Sequence, residues 1–422
     1  MVKELKHTEI GDIPVDWELQ TFDETFRVIS NNTLSRENLN NRGGAVRNIH
    51  YGDILTKFPE VLDCNEEEIP YVNELSLLSS STQLLQDGDI VVADTAEDET
   101  VGKVIEVQNL GDSKLVAGLH TIPCRVKKGD FAPGWLGYYM NSDLFHNQIL
   151  PYITGIKVSS ISKGAISETL ILVPPFDEQE KIVQSLNKIQ LLMTSETKVV
   201  NKIKLVKNGC LSKMFPQKDD TVPEMRLPGF TEAWEQRKLG ELGEIMTGST
   251  PSTSKPEYYS ENGIPWVTPT DIDALTISDT PRKLSEEGIK VGRVVPANTI
   301  LCTCIASIGK NALLMVKGSF NQQINSLTPS AENDSYFLLT ESELWSEKMK
   351  RMAASGTMQI VNKTEFSELV TMVPSLDEQK IIGFYFRNID NLITLHQCKC
   401  DKYSNIKKGM MSDLLTGKIR LV

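Results

Sequence analysis

The residues able to do chemistry sit in short loops rich in glycine, hydroxyls and amides. In the second half of this 422-residue sequence they are Gly248-Ser249-Thr250-Pro251-Ser252, Ile308-Gly309-Lys310, Asn321-Gln322-Gln323 and Ser355-Gly356-Thr357-Met358-Gln359, followed by Lys363. The first half offers Ser30-Asn31-Asn32-Thr33-Leu34-Ser35, Thr154-Gly155-Ile156-Lys157 and Ser162-Lys163. Asparagine and glutamine amides can bond the edge of adenine through two hydrogen bonds, lysine reaches guanine or phosphate, and glycine lets backbone N–H groups approach phosphate. That chemistry nominates Thr33, Ser35, Lys157, Lys163, Ser249, Thr250, Ser252, Lys310, Asn321, Gln322, Gln323, Thr357, Gln359 and Lys363 as contact residues. Taken singly, each such loop is more often an ordinary solvated turn.

Catalytic motifs are missing. Gly309-Lys310 is followed by Asn311 and has Cys304 where the first glycine of a phosphate-binding loop belongs, and no Gly-x-Ser-x-Gly elbow occurs. Val173-Pro174-Pro175-Phe176 resembles the Asn/Asp-Pro-Pro-Tyr/Phe motif of amino-methyltransferases, but an apolar valine replaces the residue that would hold the target amine. It reads instead as a stiff exit from a strand. The seven cysteines are an odd number in a long chain, and the Cys302/Cys304 and Cys398/Cys400 spacings are not those of a zinc knuckle. The five histidines are scattered. No metal or cofactor is expected in this chain.

The elements that would position the loops are announced by a repeat. Val173-Pro-Pro-Phe-Asp-Glu-Gln179 recurs as Val373-Pro-Ser-Leu-Asp-Glu-Gln379, and the copies stay in register to Gly209 and Gly409 at an offset of 200. After each motif apolar residues alternate at spacings of four and three: Ile182, Leu186, Ile189, Met193, Val200, Ile203, Cys210 and Met214, then Ile382, Phe386, Ile389, Ile393, Cys400, Tyr403, Met410 and Leu414. A seam of period 3.5 over about five heptads predicts two long helices that pack against long helices, each a rod of about 57 Å. Glu196 and His396 share one polar seam position and Lys207 and Lys407 another. They are either tolerated at helix ends or set register between two helices.

The rods carry 7 basic against 4 acidic residues (177–213) and 8 against 5 (377–420), together +6, so the rest of the chain stands at -18 within the net charge of -12. An acidic balance argues against nucleic acid unless local basic loops or a partner supply the contacts. No run of eighteen apolar residues and no leader-like start occurs, which predicts a cytoplasmic chain.

Ahead of each rod lies a globule, the first with strands at Asp87–Ala93, Gly102–Val107 and Thr121–Val126 and a helix expected over Pro133–Leu150. Trp17-Glu18 matches Trp234-Glu235, and Thr33 and Ser35 match Thr250 and Ser252, at an offset of 217; Lys163 matches Lys363. The expected fold is α+β in a globule, rod, globule, rod order: residues 1–174, 175–215, a linker at 216–230, 231–374 and 375–422. Two copies of one scaffold with different loops would read two different things.

Met225-Arg-Leu-Pro-Gly-Phe-Thr-Glu-Ala-Trp-Glu-Gln-Arg-Lys-Leu-Gly-Glu241, Gly248-Ser-Thr-Pro-Ser252, Trp266-Val-Thr-Pro-Thr-Asp-Ile272, Phe320-Asn-Gln-Gln-Ile-Asn325 and the paired Pro-x-x-Asp-Glu-Gln helices together resemble the specificity subunit of a type I restriction-modification enzyme. The likeness covers essentially the whole chain. Members of this family hold two target recognition domains apart on an antiparallel coiled coil of two long conserved helices, and each domain reads one half of an asymmetric, interrupted DNA sequence. The resemblance implies a non-catalytic chain whose partners are double-stranded DNA, two methylation subunits and, in the full complex, restriction subunits. S-adenosylmethionine, ATP and Mg would be used by those partners. The first globule departs from the pattern, with Ser30–Ser35 replacing the Gly-x-Thr-Pro-Ser loop and Leu119-His120-Thr121 where an Asn-Gln pair is expected. The alternatives are a coiled-coil adaptor that binds protein and a self-contained methyltransferase or nuclease.

Overall fold

The structure, a computed structural model, describes residues 4–155, 157–217, 220–355 and 360–421. The two rods form as single helices of 39 residues, Phe176–Met214 and Leu376–Leu414. Both start directly after the strand and proline exit, Leu170–Val173 in one case and Val370–Val373 in the other. The Pro175 carbonyl takes the N–H groups of Glu178 and Gln179 at 2.9 and 3.1 Å, satisfying donors that a helix start leaves unpaired.

The chain divides into two compact units, and the division cuts both rods. One unit holds the residues up to Glu196 together with those from Lys399 onward, and the other holds Thr197–Cys398. Each globule thus takes the first half of one rod and the second half of the other.

The globules share a five-stranded sheet. In the first unit its order is Phe26–Val28, Thr121–Val126, Ile90–Ala93, Val104–Gln108, Val61–Asp63, antiparallel except for the last pair. In the second it is Gly243–Thr247, Ile324–Pro329, Thr299–Thr303, Asn311–Leu314, Thr276–Ile277, with the same parallel last pair. A second sheet shares one parallel pair, Arg47–Ile49 beside Leu115–Ala117 and Tyr259–Val267 beside Gly318–Phe320. Its edges differ: Leu39–Asn40 is added beside Tyr71–Val72 in one unit, Val294–Val295 beside Gly318–Phe320 in the other. Each globule is closed by pairing an early strand with its last, Val173 opposite Glu18 and Val373 opposite Glu235.

The helix expected over Pro133–Leu150 is broken into Trp135–Tyr139 and Asp143–Ile149. Asn141 pulls the chain off the helical path by bonding both the N–H and the carbonyl of Val104, at 3.0 and 2.7 Å, and Ser142 caps the second piece. The corresponding stretch of the second globule, Ser335–Ser355, is one unbroken helix.

The apolar stripe of the rods is not a free-standing coiled-coil seam. Ile182 and Leu186 of the first rod and Leu414 of the second are buried in one core with Trp17, Trp135, Tyr139 and Phe145. Cys210 and Met214 of the first rod and Ile382, Phe386 and Ile389 of the second are buried in another with Phe215, Trp234, Phe337 and Trp345. Opposite ends of the two rods meet in each core, so the rods pair antiparallel. Val200 is buried, while Ile189, Met193, Ile203, Ile393, Cys400, Tyr403 and Met410 are half-buried. One stripe serves as helix seam and globule core, because a helix lying on a globule buries the same face.

The polar seam lysines do not snorkel into water. Lys207 and Lys407 are buried. Lys207 meets Asp390 at 2.8 Å and Glu343 at 2.6 Å; Lys407 meets Gln190 at 2.7 Å and Glu60 at 2.5 Å. Burial alone would lower the Lys207 pKa, but Glu343 and Asp390 outweigh it and hold the ammonium protonated above its usual range.

The Asp-Glu-Gln motif is a clamp as well as a helix start. Glu178 accepts from Arg420 Nε at 2.6 Å, Arg420 Nη2 at 2.7 Å and the Trp17 indole at 2.9 Å. Burial pushes its carboxyl up, and the guanidinium and indole N–H together bring it below the ordinary range. Glu378 takes the same two-pronged bond from Arg226, at 2.9 and 2.8 Å. Gln179 and Gln379 each accept one backbone N–H, of Ala132 and Asp334, at 3.0 Å.

Candidate nucleic-acid interface

Strand pairings in the first unit bring loops from four parts of the chain to one place. Asn31 Nδ2 donates to the carbonyls of Gly118 at 3.1 Å and Thr121 at 2.9 Å, which ties the 30–35 loop to the 118–120 crossover. Thr95–Ala96 pairs with Ser159–Ser160, which brings in the 154–160 loop. Lys157 in that loop is exposed, and so are Thr33 and Lys163, the last at the first turn of the short helix Lys163–Ser167. Ser35 is half-buried, with its hydroxyl spent on Asn38 at 3.1 Å and Glu37 at 3.2 Å.

Five residues that loop composition did not single out lie among these. Tyr51 presents its ring between His50, at 4.7 Å, and His120, at 5.2 Å. Thr95 Oγ1 lies 3.2 Å from His120 Nδ1. Burial and the nearby Arg36 depress the His50 pKa, and its Nδ1 accepts the Gly52 N–H at 3.1 Å. Arg36 is half exposed and fixed to Asp53 by bonds of 2.9 and 2.7 Å. Single histidines and tyrosines in a loop carry no sequence signal, because sheet topology gathers them.

The second unit builds the equivalent surface from other residues. Ser249 N bonds Phe320 O at 2.9 Å, and the Trp266 indole donates to Ser249 O at 3.1 Å. Gly248 allows this approach: a Cβ there would lie 2.1 Å from the Asn321 carbonyl oxygen. Thr250 and Gln322 are exposed and bond each other through Thr250 Oγ1 and Gln322 Oε1. Ser252 is exposed, its hydroxyl 2.7 Å from that of Ser254.

Asn321 is 7% exposed, with both ends of its amide turned onto Gln323: Oδ1 accepts the Gln323 N–H at 3.0 Å and Nδ2 donates to its side chain at 3.1 Å. It shapes the loop, while Gln322 faces outward. Cys304 N bonds Gln323 O at 2.8 Å, joining this loop to the 303–310 hairpin, at whose foot Lys310 is exposed. Lys363 is exposed at the start of the helix Lys363–Ser367. Thr357 and Gln359 lie outside the described residues. Arg293, missed in the sequence, is exposed beside Ser249, where its N–H bonds the Ser249 hydroxyl at 3.0 Å.

Among the described residues no group of three or more His, Cys, Asp or Glu side chains could hold a metal ion, and no helix is long and apolar enough to cross a membrane.

The model of the type I restriction modification DNA specificity domain matches this chain twice, over residues 14–205 and 231–402. A Methanocaldococcus jannaschii protein provisionally assigned as the type I restriction enzyme MjaX specificity subunit is 24% identical over 424 residues, spanning 99% of this chain and 96% of that one. The HindI specificity subunit of Haemophilus influenzae is 27% identical over 197 residues, 44% of this chain and 42% of its own length. The solved S subunit of a type I restriction-modification system from M. genitalium shares the fold, with a TM-score of 0.62 at 14% identity over 98% of this chain and 99% of that one. With both globules matched and the long helices in place, this chain belongs to the type I restriction-modification DNA specificity family.

Proposed function

We propose that each compact unit reads one half of an interrupted, asymmetric DNA sequence and that the rods fix the gap between the halves. The chain acts as the non-catalytic reader of a type I complex. The observation that carries this reading is the repetition itself: two sheets of identical strand order present loops of different sequence from the same positions. Two half-sites about one helical turn, roughly 34 Å, apart fit within a rod of about 57 Å.

The same rods dock two methylation subunits, and restriction subunits join that assembly. Leu191 at 70% exposure, Leu205 at 71% and Phe384 at 65% stand out from the rods as large apolar side chains with no core to enter. A protein partner docked along the rods would cover them. S-adenosylmethionine, ATP and Mg belong to the partners' chemistry. Phosphate contacts supplied by those partners also offset the net charge of -12.

The test is to co-express the chain with its methylation subunit and map modified adenines across a host genome. A two-part interrupted motif that depends on this chain is the expected result. A stable complex that leaves no motif would favour a protein-binding adaptor instead.

A further inference from the structure

We propose that His120 is a base-reading residue of the first unit, presenting its ring Nε2 as an acceptor to the exocyclic amine of an adenine or cytosine in the major groove. This rests on the DNA-reading role proposed above and adds a residue outside the amide-rich loops.

The position comes from topology. Residues 118–120 cross from Leu115–Ala117 to Thr121–Val126, just as 321–323 cross from Gly318–Phe320 to Ile324–Pro329. The first residue of each crossover is pinned alike: Gly118 N bonds Ile49 O and Asn321 N bonds Val267 O, both at 2.9 Å. His120 therefore stands where the second unit carries Gln323.

The backbone and the ring are both held. His120 has a φ of 56°, in the left-handed region that few side chains other than glycine adopt. Its side chain is 44% exposed, yet the ring meets Tyr51 edge to face at 5.2 Å and 78°. A reader fixed in advance loses little freedom when a base arrives.

The hydrogen-bond network assigns the ring's polarity. Thr95 Oγ1 donates its proton to Asp94 Oδ1 at 2.8 Å, so toward His120 that oxygen can only accept. His120 Nδ1, 3.2 Å from that oxygen and 3.5 Å from Asp94 Oδ1, thus faces two acceptors, which favours the tautomer with its proton on Nδ1. In the neutral ring the proton on Nδ1 leaves Nε2 bare, an acceptor matched to the N6 amine of adenine or the N4 amine of cytosine. The adjoining Ser159–Ser160 strand brings the Lys157 loop alongside, where a cation can meet the neighbouring phosphate.

The experiment uses the full chain assembled with its methylation subunits, and measures methylation of duplexes carrying each base pair at each position of the recognised sequence. In His120→Ala, discrimination should fall about 5- to 150-fold at one position of one half-site. That position should be one where the unaltered complex demands adenine or cytosine. Discrimination in the other half should persist, which also shows that the variant complex is folded. His120→Phe, which keeps a ring against Tyr51 but removes the nitrogens, should lose the same discrimination. A full retention of specificity in either variant, or an equal loss at every position, overturns the proposal. If the unaltered complex recognises no interrupted sequence, the DNA-reading role fails and this assignment fails with it.

Discussion

Lys207 Nζ on the first rod lies 2.8 Å from Asp390 on the second, and Lys407 Nζ on the second lies 2.7 Å from Gln190 on the first, so the same two positions of the repeat meet twice with the rods exchanged. A buried lysine tolerates only a register that brings it an acceptor, because an uncompensated buried charge is costly. These bonds fix how far one rod slides past the other.

Removing that lock should be expensive. Lys207→Met leaves Asp390 buried without its cation and should cost about 3 kcal/mol. Asp390→Asn in the same background should then cost less than it does alone. Denaturant unfolding of the four proteins in a double-mutant cycle measures the coupling.

The C-terminal arginine holds the first unit through Glu178 and also bonds Asp16 at 2.9 and 2.8 Å. Arg420→Ala should destabilise that unit by about 3 kcal/mol and raise hydrogen exchange around Trp17. Exchange around Trp234 in the second unit, which relies on Arg226, should not change. Equal loosening of both would show that the clamp is not local.

Glu341 gives a pH dependence of defined sign. It is fully buried, accepts from the Thr371 hydroxyl on one oxygen and leaves the other without a partner, and burial raises its pKa to about 8. In the unfolded chain its pKa is near 4.3. The folded state therefore binds the extra proton, and the stability it contributes is complete below about pH 4.3 and is lost as pH rises to about 8. Glu341→Gln keeps the neutral shape and should be more stable than the parent at pH 8 by about 1 to 3 kcal/mol. The advantage should shrink at pH 5. Melting temperatures at the two pH values decide it.

Exchanging residues 231–373 for the same unit of a relative should alter one half of the methylated motif and leave the other intact. Change in both halves would refute separate reading heads.

Adding one heptad to both rods should lengthen the gap between halves without altering either half. Each insertion adds about 10 Å of helix. Genome-wide methylation mapping reads the gap directly, and an unchanged spacing would remove the rods from the measurement.

Sequence patterns reported the repeating parts well because periodicity is a local signal. The rods run over Phe176–Met214 and Leu376–Leu414, and Trp17 and Trp234 occupy matching buried places. Less legible was the sharing of one apolar stripe between seam and globule core, since Ile182 and Phe386 look the same whether they face a helix or a sheet. The roles of Glu178 and Gln179 were half seen: acidic residues suit a helix start, but their partners Arg420 and Ala132 are distant in sequence. The loops were the least legible. Asn321 and Gln322 are neighbours of similar chemistry, yet one is turned inward and the other outward. His120, Tyr51 and Thr95 come together only because three strands place them there.

The division that cuts both rods also sets an order of events at the ribosome. The second unit is one unbroken run, Thr197–Cys398, and can close as soon as it has been made. The first unit is begun earlier yet waits for Lys399 onward, including its Arg420 latch. At about 5 to 20 residues per second that wait lasts on the order of 10 to 40 s. The half of the protein that emerges first is the half that finishes last, and throughout that interval the apolar face of Phe176–Glu196 must be kept from aggregating without its mate.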